Sequence, residues 1–141
     1  MSHNCDSIVL HCIDWRIQTG LDKWLRSGVA GTFDRVGLAG AVKSLITPIN
    51  ESDKDFLLRQ IKISRDLHGI KTVILVNHSD CGAYKGAANF VNQNDEACFH
   101  ARELKLAADI IHQMFPELKT ELYIAQLSHN GQCWETKVDK V

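Results

Sequence analysis

Residues 71–82 read KTVILVNHSDCG. Five apolar or β-branched residues in a row, Thr72 to Val76, make the strongest strand in the chain, and the run ends on His78, three residues before Cys81. A strand apolar on both faces belongs inside a parallel sheet covered by helices. Upstream, Asn50-Glu51-Ser52-Asp53 is a helix start. Phe56, Leu57, Gln60, Ile61, Ile63, Ser64 and Leu67 follow with a period near 3.6, and Gly69 stops the helix. Further upstream, SIVLHCI (residues 7–13) is another short buried-strand run, after which Asp14 to Arg16 turn polar. Strand, helix, strand is the βαβ pattern, so these two strands are expected to be parallel neighbours.

The remaining segments extend this frame. Leu21, Trp24 and Leu25 space a short helix over about Ile17 to Arg26, with Gly28 as its stop. GTFDRVGLAG (31–40) reads as a strand closed by a tight turn near Gly37 to Gly40, which can bring backbone close to a site. Ala97, Ala101, Leu104, Ala108, Ile111 and Phe115 mark an amphipathic helix ending before Pro116, with Cys98 placed on its apolar stripe. ELYIAQLS (121–128) is the fourth strand. Asn130-Gly131 is a hairpin signal before CWETKV (133–138), an antiparallel edge strand. The expected architecture is one α/β domain over 1–141, three-layered, with a mostly parallel sheet in the order 2-1-3-4 and an antiparallel C-terminal edge strand.

Size and composition exclude several classes. At 141 residues, 45% hydrophobic and 23% charged, the chain suits a single soluble core. No apolar run reaches the roughly 20 residues that span a bilayer, and MSHNCDS lacks a basic start and long apolar stretch, so no membrane and a cytoplasmic location are expected. A net charge of −1 without basic blocks leaves no electrostatic footprint for nucleic acid. The five cysteines, at 5, 12, 81, 98 and 133, are too scattered for a disulfide framework. Cys5, Cys98 and Cys133 read as structural or inert thiols.

Cys12 and Cys81 are different, because each sits where an apolar run ends. In open α/β sheets ligands bind beyond the carboxyl ends of the strands. If the first and third strands are neighbours, Cys12 meets His78-x-x-Cys81. Two thiolates and an imidazole suit zinc (Zn2+), and three protein ligands leave a fourth position open. Asp14, two residues past Cys12, returns to the same side of an extended chain, either as fourth ligand or as neighbour of a zinc-bound water. Arg16 repeats the spacing, and its planar fork can hold Asp14 ionised and aimed. His11 points to the opposite face and reads as a satisfied core histidine. His3, His68, His100, His112 and His129 read as surface residues. Asp80 either places charge near the metal or caps backbone in its turn. Gly82 and Gly86 permit a tight loop, and Tyr84 lines the pocket or packs beneath it.

C-x-D-x-R at an early strand end, followed some 65 residues later by H-x-x-C-G after an apolar strand, resembles the β-class carbonic anhydrases. The likeness extends through TFDRVGLAGA and the closing strand pair. It implies zinc held by Cys12, His78 and Cys81, an Asp14–Arg16 dyad orienting a zinc-bound hydroxide, and reversible hydration of carbon dioxide to bicarbonate. It also implies a homodimer or higher homo-oligomer; Trp15, Trp24 and the apolar face of the first helix are either its contacts or, more commonly for such residues, core packing. Trp15 departs from the small residue the family carries between Asp and Arg. The stretch before the first strand is shorter than the family's N-terminal helices, and the turn between the motifs matches loosely. Hydrolysis of carbon disulfide or carbonyl sulfide by the same chemistry is an alternative. A non-catalytic zinc-stabilised module with Asp14 on the metal is another. A thiol redox protein fits less well, because no C-x-x-C spacing is present.

Overall fold

The computed structural model describes residues 2–141. Strands β1 (Ser7–His11), β2 (Phe33–Gly37), β3 (Thr72–His78), β4 (Lys119–His129) and β5 (Trp134–Lys140) form one sheet in the order β2-β1-β3-β4-β5. The first four are parallel to one another, and β5 runs antiparallel to β4. This is the expected sheet, including its antiparallel edge. Helices α1 (Trp15–Trp24), α2 (Lys43–Ile46), α3 (Glu51–His68) and α4 (Gln93–Met114) cover it.

The period-2 alternation of the strands divides the core into two apolar layers. Ile8, Leu10, Val73 and Leu75 face α3 and α4, meeting Leu57, Leu58, Ile61, Leu104 and Ile111. Val9, Ile74 and Val76 face the other way onto Ile17, Leu21 and Leu25 at α1 and its end. Each fully buried aliphatic side chain contributes roughly 1.5–3 kcal/mol, so β1 and β3, apolar on both faces, anchor the three layers.

Local chemistry accounts for the element ends. Asp53 Oδ2 accepts the Asn50 backbone N–H (3.3 Å) at the start of α3, and Gly69, at φ 64°, closes its far end. Helix α1 begins at Trp15, two residues before the apolar stripe suggests. Asp14 is its N-cap, with Oδ1 accepting the Arg16 N–H at 3.0 Å. Past Trp24 the helix loosens into a π-helical turn over Leu25–Val29. The four-residue α2 lacks a periodic signal in sequence, being too short to show one.

Two expectations about α4 are corrected. Cys98 is exposed, not on the buried stripe, and His100 is buried, not a surface residue. A helix turns about 100° per residue. The sheet-facing row is therefore Glu96, His100, Leu104, Ala107, Ala108 and Ile111, and position 98 falls about 200° away from Glu96. The polar character of Glu96 and His100 hid this row from a reading based on apolar residues.

Candidate metal centre

Strands β1 and β3 pair in parallel, with Leu10 opposite Leu75, so their carboxyl ends lie side by side. Cys12 is the first residue beyond β1 and His78 the last of β3. The loop after β3 turns back at once, the Tyr84 and Gly86 N–H groups both donating to the Cys81 carbonyl. Sixty-nine residues of separation thereby close to 3.9 Å between the Cys12 and Cys81 sulfurs. The ligand atoms of Cys12, His78 and Cys81 all lie within 4.8 Å of one another, and all three residues are buried.

Gly40 contributes from the turn after β2. At φ 77° it is in the left-handed region, and a Cβ there would stand 2.9 Å from the Ala83 Cβ. Its backbone helps to hold the Cys12 thiol below its ordinary range, so the glycine turn does bring backbone to the site. Gly40→Ala combines strain with a close contact and is expected to cost on the order of 1–3 kcal/mol. Thermal unfolding checks this, and an unchanged midpoint would contradict it.

The donor set fits a cation. His78 Nδ1 donates to the Ser79 carbonyl at 2.7 Å, leaving the lone pair on Nε2. That Nε2 is buried without a hydrogen-bond partner among the described residues. The hydrogen bond from the Cys81 thiol holds the Cys12 thiol well below the ordinary range, against the effect of burial, while the same bond pushes Cys81 up. Two neighbouring buried sulfurs cannot both ionise without a counter-charge. Sulfurs about 2.3 Å from a tetrahedral zinc lie about 3.8 Å apart, close to the observed separation. Soft thiolates plus imidazole suit zinc among the common divalent ions.

Asp14 and Arg16 lie beside this cluster, Arg16 reaching it from a helix and not from an extended chain. Asp14 caps α1 and Arg16 follows in its first turn. The guanidinium grips the carboxylate with Nε on Oδ1 (3.0 Å) and Nη2 on Oδ2 (2.7 Å). Its remaining edge reaches the site loop, Nη1 to Asp80 Oδ2 (2.8 Å) and Nη2 to the Asp80 carbonyl (2.9 Å). The Trp134 ring of β5 lies 5.0 Å from Cζ. Asp14 Oδ2 stands 3.8 Å from His78 Nε2. The Arg16 hydrogen bonds hold the Asp14 carboxyl below the usual carboxylate range. A cleft of about 460 Å³ opens over Cys12, Asp14 and Arg16, with Ile13, Trp15 and Ala83 among its lining.

Asp80 takes the capping role open to it in sequence, accepting the Ala87 N–H on Oδ1 at 2.8 Å, and its Oδ2 faces Arg16. Its backbone, at φ 55°, is held from beneath by Glu96, whose Oε1 accepts the Asp80 N–H at 2.6 Å. Glu96 has no signal in sequence beyond its i−4 spacing from His100. Tyr84 packs beneath the loop, edge-on to His100 and Phe99. His11 is the expected core histidine, Nδ1 donating to the Cys12 carbonyl and Nε2 accepting from Arg35.

His100, hydrogen-bonded through Nδ1 to Asn77, is held down to about 4, first by burial and then by the nearby His78. Unfolding restores a value near 6.5, so between these values the unfolded chain binds the extra proton. Stability is therefore expected to fall by about 3 kcal/mol from this residue as pH drops from about 6.5 to 4. Urea unfolding of the wild type and His100→Gln checks this. The variant should show a shallower acid loss, and parallel curves would contradict the assignment.

The fold defines the class, and comparison defines the family. The carbonic anhydrase from Streptococcus mutans superposes with a TM-score of 0.56 at 15% identity, covering 100% of this chain and 85% of that one. The β-carbonic anhydrase CcaA gives 0.53 at 12% identity, with 97% and 85% covered. A family model described as "Putative carbonic anhydrase" matches residues 2–138, and the chain belongs to that family. Uncharacterized proteins of Rickettsia conorii and Rickettsia bellii are 31% and 30% identical over 129 residues. These alignments cover 89% of this chain and 69% and 79% of the relatives. Among the described residues no helix is long and apolar enough to cross a membrane.

Proposed function

We propose that the chain is a zinc-dependent carbonic anhydrase that interconverts carbon dioxide and bicarbonate. The observation that carries this reading is the buried Cys12–His78–Cys81 cluster with an Arg16-clamped Asp14 beside it, next to an open cleft lined by Cys12, Asp14 and Arg16. A structural site has no need of the clamp or the cleft. Bound zinc supplies a Lewis acid that brings the pKa of a water towards about 7, the established figure for carbonic anhydrase with three histidine ligands. Cys12, His78 and Cys81 hold the metal, and the Ser79 carbonyl fixes the His78 tautomer. Asp14, kept ionised by Arg16, accepts a hydrogen bond from the attacking oxygen and orients it. Arg16 is itself held by Asp80, which ties the site loop to the start of α1.

Carbon disulfide and carbonyl sulfide are the competing substrates of the same chemistry. Initial rates on all three with the zinc-loaded chain test the choice. The highest kcat/KM is expected for carbon dioxide, and a clear preference for either sulfur compound would overturn that assignment. A homo-oligomer is also part of this reading, supported by Ile13 (61% exposed) and Trp15 (74% exposed) at the cleft rim. Sedimentation is expected to give a dimer or larger, and Trp15→Ser to weaken it. A wild type that sediments as a monomer at assay concentration would contradict this.

A further inference from the structure

The carboxyl end of the sheet does not hold the chain's only cluster of metal-binding side chains. At the opposite end, Cys5 precedes β1, Asp34 lies near the start of β2, and His68 ends α3. Their ligand atoms all lie within 4.8 Å of one another. Pairing of Ile8 with Asp34 sets the carboxylate beside β1, and the Cys5 backbone N–H donates to the His68 carbonyl at 2.9 Å. Two of the three residues are therefore tied by a main-chain bond, and the third by strand register.

We propose that Cys5, Asp34 and His68 form a second divalent transition-metal site, for zinc or a similar borderline ion, which staples β1, β2 and α3 together. The donor set is one sulfur, one imidazole nitrogen and one carboxylate, a combination suited to such an ion. Asp34 Oδ2 is 2.6 Å from His68 Nδ1 and also accepts from Ser64 Oγ. For the metal to replace the proton between carboxylate and imidazole, this 2.6 Å pair opens to about 3.3 Å, the separation of two ligands about 2.0 Å from a tetrahedral ion, while Ser64 keeps the carboxylate oriented as an outer hydrogen-bond partner. His68 and Asp34 side chains are about one-third exposed, giving a hydrated ion access.

A cysteine, histidine and aspartate together also suggest a nucleophilic triad, but the arrangement opposes one. The Cys5 thiol is pushed up by burial and by the Asp34 charge, the reverse of an activated nucleophile. Asp34 lies against both the imidazole and the thiol instead of orienting the far side of the histidine.

Metal binding at Cys5, Asp34 and His68 does not depend on carbonic anhydrase activity, and it is read separately. The full chain, stripped with chelator, is titrated with cobalt(II) and, in parallel, zinc(II). Bound metal per chain and the sulfur-to-cobalt charge-transfer absorbance are both read. The wild type is expected to bind two ions, and Cys5→Ser and His68→Gln one each, with unchanged far-UV circular dichroism. Cys81→Ser is expected to keep the ion at Cys5. The second equivalent should raise the thermal midpoint of the wild type and leave that of Cys5→Ser unmoved. Cys5→Ser and His68→Gln binding as many ions as the wild type would overturn the proposal. If a single ion survives Cys81→Ser but is lost in Cys5→Ser, the second site stands and the catalytic-metal reading fails.

Discussion

Cys81→Ser is expected to reduce carbon dioxide hydration to the buffer rate and to lower the zinc content by one ion per chain. Serine keeps the size of the side chain, but its hydroxyl does not ionise at neutral pH and is a poor partner for zinc. The substitution leaves Cys12 and His78 alone, and the 3.9 Å sulfur pair that matches a tetrahedral ion is gone. Because Cys81 contributes to both metal affinity and the reacting site, loss of affinity and loss of rate should coincide. Stopped-flow hydration and metal analysis on the same sample check it. Cys133→Ser, at an exposed position outside the cluster, is the matched control and should retain both. Wild-type turnover by the Cys81→Ser chain would contradict the assignment of this sulfur.

Arg16→Ala is expected to separate metal binding from catalysis. Removing the guanidinium deletes the bidentate grip on Asp14 and both contacts to Asp80. Losing one member of a partly buried charge pair is expected to cost about 2–4 kcal/mol. It also frees a carboxylate whose Oδ2 is only 3.8 Å from His78 Nε2. Turnover should fall roughly 10²–10³-fold, the usual effect of losing a preorganised polar group at a reacting centre, while zinc content stays at the wild-type level. Arg16→Lys keeps the charge without the fork and should recover only part of the rate. A wild-type rate in Arg16→Ala would remove the dyad from the mechanism.

The same substitution has a pH signature. Arg16 lowers the Asp14 carboxyl in the folded chain, so this residue's stabilising contribution is complete above the unfolded carboxylate value of about 4. It is lost as pH falls through the lower folded value. In Arg16→Ala that window closes, and the part of the acid loss due to Asp14 disappears from the unfolding curve below about pH 4.

The strands that carry the site are readable because β1 and β3 are apolar on both faces and end abruptly on Cys12 and His78. Parallel order follows from the helix between them. What sequence does not reveal depends on contacts between elements far apart in the chain. His100 reads as a surface residue and Glu96 carries no signal of its own, yet they face the buried Asn77 and the loop at Asp80. Cys5 and His68 read as unrelated to one another until strand register and the bond from Cys5 N–H to the His68 carbonyl place them together. Arg16 is expected beside Asp14 by a second step of extended-chain alternation, but it lies in the first turn of α1, which Asp14 caps. In each case a polar side chain acts through a neighbour that periodicity alone cannot name.

If the cluster at the carboxyl ends of β1 and β3 is a catalytic zinc site for carbon dioxide, activity must follow the metal. Stopped-flow hydration between about pH 7 and 9, on chain stripped with chelator and then reloaded with zinc, tests this most directly. Hydration is predicted to vanish with the metal, to return on reloading, and to stay absent in reloaded Cys81→Ser. A wild-type chain that takes up zinc at Cys12, His78 and Cys81 yet hydrates carbon dioxide no faster than buffer would contradict it.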